Sequence, residues 1–142
     1  MQVYTLKGVS PAQVKELDSY DDRNFVLGDV EYSCSGGAVE KTGVVFKVHN
    51  GVESDNFALI EAHNTVLQHL RLGGVQVPEP LKIGDASSCI GWIDLPRLRK
   101  PEVTRKHAVR LLRFIPGQII GQTSKESPEL WKDVGRCFPR CI

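Results

Sequence analysis

A chain of 142 residues is long enough for one compact domain with a real core. Its 41% hydrophobic and 25% charged content is that of an ordinary globular protein, and a net charge of +1 offers no electrostatic handle for DNA, RNA or an anionic membrane. No apolar run approaches the roughly 20 residues that cross a bilayer, and Met1–Lys7 lacks the apolar stretch of a secretory signal, so a cytoplasmic location is the expectation.

In that compartment Cys34, Cys89, Cys137 and Cys141 are expected to be reduced. Cys137 and Cys141 make a poor zinc half-site, because no second ligand pair stands at finger-like spacing. No metal site is therefore expected.

In chain order, Val14–Leu17 fits a short strand, and Asp18–Asn24 is a polar turn whose side chains bond their own backbone. Phe25–Leu27 resumes a strand, Gly28-Asp29 invites a reversal, and Ser35–Gly37 reads as a second turn. Gly43–His49 is the strongest strand signal, with Val44, Phe46 and Val48 on one face and Val45, Lys47 and His49 on the other. After Asn50-Gly51, Ser54 or Asp55 caps a helix starting near Asn56. Its stripe is Phe57, Ile60, Asn64, Leu67 and Leu70, and Gly73-Gly74 closes it. Val77–Pro80 is a connector, Cys89–Asp94 a fourth strand, Pro96–Pro101 an exposed hairpin loop, and Ala108–Phe114 a fifth strand. Ser127-Pro128 opens a short last helix carrying Trp131, Val134 and Phe138. The order gives an α+β domain, a five-stranded antiparallel sheet with one main packed helix.

A lysine inside an apolar strand is costly unless its amine meets an anion or water. Lys47 is therefore the candidate cation for a nucleotide's phosphates, with Val45 beneath the base; an edge lysine that discourages aggregation is the bland alternative. Glu61, in the following helix, is the candidate carboxylate partner, though most helix glutamates are simply solvated. Ser19, Tyr20, Asp21, Asp22 and Asn24 lie in the candidate phosphate-covering loop. It has no glycine run, so a Walker-type P-loop is excluded. In a generic α+β domain, Lys47 and Glu61 would be no more than a surface pair of little worth.

Ser19–Phe25, Val45–Val48, Leu59–Asn64 and Val109–Gly117 together resemble the hydroxylysine kinase family, within the aminoglycoside phosphotransferase and choline kinase superfamily. The resemblance runs from about Val14 to Gly135. It implies a protein-kinase-like N-lobe over residues 1–112, followed by a hinge and the start of a second lobe over 113–142. It also implies a Lys47–Glu61 ion pair and base contacts from the main chain of Arg113 and Ile115, with Leu112 behind them. The implied reaction is transfer of a γ-phosphate from GTP or ATP, with Mg2+, to the hydroxyl of 5-hydroxylysine.

Members of that superfamily continue into a helical second lobe with a His-x-Asp-x-x-x-x-Asn loop and a metal-binding Asp. Here none of His49, His63, His69 or His107 is followed two places on by aspartate, and Pro139 would break the last helix. The expectation is a truncated form (a splice isoform, a gene-model error or a fragment) that lacks the catalytic base and the Mg2+ ligands and is inactive alone. The alternative is a non-catalytic nucleotide-binding or protein-interaction fragment, offering a partner the apolar surface near the hinge and Trp131.

Overall fold

The β-branched and aromatic residues at 44–46 and 48 suit a pleated, half-buried surface, and they form the inner end of a strand at the centre of a sheet. The computed structural model describes residues 6–7, 9–33, 39–83, 87–97, 100–119 and 127–137. Its strands are β1 (Leu6–Lys7), β2 (Val14–Leu17), β3 (Arg23–Ser33), β4 (Val39–Val48), β5 (Ile90–Arg97) and β6 (Lys100–Arg113). The helices are α1 (Gly51–Ser54), α2 (Phe57–Leu72) and α3 (Pro128–Cys137). Every pairing is antiparallel, in the order β1-β3-β4-β6-β5, with β2 also laid on β3. The α+β class, the five expected strands, the main helix and the short last helix are all present; β1 adds a two-residue edge strand.

Two expected breaks are not breaks. At Gly28-Asp29 the register shifts between Leu27 and Val30, so the chain bulges and continues instead of reversing. Continuing buries Val30 and Tyr32 in the core, which a turn at Gly28 would forfeit. The second expected turn, Ser35–Gly37, lies outside the described residues. Likewise β5 reaches Arg97 and β6 starts at Lys100, so most of the expected 96–101 loop is ladder. Pro96 is tolerated there because β5 is an edge strand.

The sheet has two unlike faces. Val44, Val48, Val109 and Leu111 join Leu27, Val30, Tyr32 and Leu81 in the main apolar core. On the other face, Val45 stands opposite Leu112 and Lys47 opposite Arg110, and α2 packs on this side. Ile60, fully buried, meets Ile90 and Ala108, while Phe57 stacks on Trp92 at 6.4 Å. α2 begins where expected: Asn56 Oδ1 accepts from Leu59 N at 3.2 Å. It ends at Gly73, followed by Gly74 at φ +79°, a conformation glycine adopts without strain. Ser54 does not cap it but sits in α1, where its hydroxyl accepts from Ala108 N at 3.0 Å. Ser127 caps α3 as expected, accepting from Leu130 N at 3.1 Å. Among the described residues no helix is long and apolar enough to cross a membrane.

Candidate functional site

Alternation along β3, β4 and β6 puts Asn24, Val26, Val45, Lys47, Arg110 and Leu112 on one face. Val26, Val45 and Leu112 are half-buried and form an apolar row leading away from Lys47. Beyond the end of β6, Ile115 is also half-buried, and its main-chain N–H makes no hydrogen bond among the described residues. Arg113 is held differently. Its N–H donates to Glu79 O at 2.8 Å, and its guanidinium meets Glu79 Oε2 at 3.1 Å.

The Lys47 ammonium pairs with Asp22 Oδ2. Asp22 Oδ1 in turn accepts from Asn50 N at 2.8 Å and Asn50 Nδ2 at 3.1 Å. Asn50 is itself fixed, because its Oδ1 caps α1 by accepting from Val52 N and Glu53 N. Burial alone would push the Asp22 carboxyl up. The bonds from Lys47 and Asn50 outweigh it and hold the group below its ordinary 3.8. Asp22 is thus a carboxylate at neutral pH, tied at both oxygens.

Glu61 is not part of this arrangement. It lies on α2, on the same side of the sheet as Lys47, but no ion pair joins the two; the lysine's partner is Asp22. The loop accounts for the difference. Ser19 Oγ donates to Asp22 O, closing a tight turn that carries Asp22 over Lys47. Tyr20 and Asp21 are fully exposed and exposed, and Asn24 lies directly opposite Lys47. The loop and β4 border an open hollow of about 340 Å³, where Asp18, Asp21, Asp22 and Glu53 face the single ammonium of Lys47.

Sequence reasoning missed a buried polar chain beside the lysine. Arg110 is 4% exposed and His49 fully buried. Arg110 Nε donates to His49 Nε2 at 2.9 Å, and Arg110 Nη1 donates to Asn64 Oδ1 on α2 at 2.8 Å. With Nε2 accepting, His49 Nδ1 carries the proton and donates to Glu53 Oε2 at 2.7 Å. Burial lowers the His49 pKa; the Glu53 bond opposes this, and the Arg110 charge adds to it. Asn64 Nδ2 is left as a buried side-chain donor without a partner among the described residues. The signal was available: Arg110 interrupts an apolar strand just as Lys47 does, and the same cost argument applies to both.

Asp22, His49 and Glu53 bring potential ligand atoms within 4.8 Å of one another. They do not fit Mg2+, which wants an octahedron of oxygens. Both imidazole nitrogens are engaged, and the Asp22 oxygens are held by Lys47 and Asn50.

No family model matches the chain, and no solved structure matches it significantly. Two curated proteins do. Hydroxylysine kinase of Xenopus laevis is 30% identical over 134 residues, covering 94% of this chain and 33% of that protein. Hydroxylysine kinase of Danio rerio is 32% identical over 136 residues, covering 94% of this chain and 34% of that protein. The chain spans about a third of the length of these curated relatives. Over nearly its whole length, this chain is similar to hydroxylysine kinase, the family that the segments around Asp22, Lys47, Glu61 and Arg113 resemble.

Proposed function

We propose that this chain is the nucleotide-gripping lobe of a kinase that phosphorylates the hydroxyl of 5-hydroxylysine from GTP or ATP. Residues 1–112 form the lobe, and 113–142 form the hinge and the start of a second lobe. The observation that carries the reading is the shared face. A half-buried lysine and an apolar row of Val26, Val45 and Leu112 lie along one side of the sheet, and β6 at the end of that row runs on into Ile115. A base needs an apolar seat and a main-chain edge, and a triphosphate needs a fixed cation. Similarity to two hydroxylysine kinases along 94% of the chain supports the reading.

Lys47 binds the phosphates as a point charge, Ser19, Tyr20, Asp21, Asp22 and Asn24 cover them, and Arg113 and Ile115 meet the base. In this reading Asp22, His49 and Glu53, whose donors do not fit the ion, are not the Mg2+ ligands, and the chain supplies no catalytic base. By itself, then, this polypeptide binds nucleotide in the cytoplasm without transferring phosphate.

Thermal melts test the reading. At a hundredfold excess over Kd, a nucleotide stabilises the fold by about 2.7 kcal/mol. GTP or ATP should raise the Tm of the wild-type chain, and Lys47→Ala should abolish the rise. An equal rise in the variant, or none in either protein, would overturn it.

A further inference from the structure

The polar atoms around Lys47 are already satisfied, and by an anion. Asp22 presents one oxygen to the Lys47 ammonium and the other to the main-chain and side-chain N–H groups of Asn50. Those are the kinds of donors a phosphate oxygen would need. We infer that Asp22 is a built-in competitor for the phosphate seat, and that a nucleotide enters by displacing its carboxylate from Lys47. The inference rests on the nucleotide-binding reading above and adds how that site is regulated.

Three observations carry it. The pair is only part-exposed, with the Lys47 and Asp22 side chains 20% and 13% accessible, so solvent screens it less than a surface pair. Asp22 belongs to the loop that borders the hollow, so letting go of Lys47 requires movement of that loop and not of the sheet. Asp18, Asp21 and Glu53 line the same hollow, so an incoming polyanion meets repulsion as well as an occupied cation. Glu61 offers no substitute partner at present. Release of Asp22 would leave the ammonium to the phosphates, with the displaced carboxylate free to turn toward solvent. No bond is made or broken, so the device acts on affinity alone.

A positioning role for Asp22 predicts the opposite outcome. If its carboxylate merely aims Lys47, removing it weakens binding. Calorimetric titration of Mg-GTP and Mg-ATP into wild type, Asp22→Asn and Lys47→Ala separates the two. Asp22→Ser is added in case the amide disturbs the loop, and circular dichroism checks each fold. Displacement predicts that Asp22→Asn or Asp22→Ser tightens nucleotide binding about three- to tenfold, up to 1.4 kcal/mol, while Lys47→Ala loses it. Weaker or unchanged binding in the folded Asp22 variants, with loss in Lys47→Ala, overturns the inference and leaves the nucleotide reading standing. Binding indifferent to Lys47→Ala, or absent from every protein, sinks that reading and the inference with it.

Discussion

Arg110 Nε donates to His49 Nε2 at 2.9 Å, and this one bond fixes the protonation of a fully buried imidazole. A guanidinium has no lone pair to offer, so the nitrogen it meets must be bare. The proton therefore sits on Nδ1 and is directed at Glu53. His49 in turn links α1 to β6, while the other arm of Arg110 links β6 to α2.

The pH dependence of stability follows from the direction of the His49 shift. Its folded pKa is below the ordinary 6.5, so between the two values the unfolded chain binds the extra proton. Stability conferred by the neutral ring is complete above 6.5 and is lost as pH falls from there toward the folded value. Lys47, Asp22, Glu53 and Arg110 surround the ring, and Asp22, held below 3.8, contributes no change until the pH is lower still. Melting curves between pH 8 and 5 should show Tm falling below about 6.5, with a flatter profile in His49→Gln. An equally steep profile in that variant would exclude His49 as the cause.

The latch on α2 is Arg110–Asn64, not Glu61. Arg110→Leu leaves both Asn64 Oδ1 and His49 Nε2 buried without a donor, at about 1–3 kcal/mol for each orphaned group. Glu61→Ala removes no ion pair among the described residues and should change stability by less than about 0.5 kcal/mol. Urea unfolding of the two variants would check this ordering, and a larger loss from Glu61→Ala would refute it.

Ile60 is the apolar half of the same attachment. It is fully buried against Ile90 and Ala108, and Ile60→Ala should cost about 2–5 kcal/mol by lost transfer energy and the cavity left behind. Val66, 55% exposed on the same helix, gives the control. Val66→Ala should be close to neutral in the same urea series.

Much of this fold was legible because the chain repeats its instructions locally. Gly43–His49 combines β-branched residues with clean alternation, and Gly73-Gly74 stops α2, so those elements fall where expected, although the cap of α2 is Asn56 and neither Ser54 nor Asp55. Gly28-Asp29 misled because a bulge and a turn draw on the same residues, and only the burial of Val30 and Tyr32 decides between them. The partner of Lys47 was illegible for a related reason. Glu61 lies on the right side of the sheet, but which carboxylate reaches the ammonium depends on how the Ser19–Asp22 turn folds. Arg110 and His49 announced themselves only as charge and polarity inside apolar strands, a signal read for Lys47 alone.

Mapping amide NMR shifts on addition of Mg-GTP or Mg-ATP tests the central claim most directly, because it reports place as well as affinity. The account predicts that the largest changes fall on Ser19–Asn24, on Val45 and Lys47, and on Arg113–Ile115, with little movement at Val44, Val48 and Val109 on the opposite face. Saturable shifts confined to that opposite face, or no shifts at millimolar nucleotide, would contradict it.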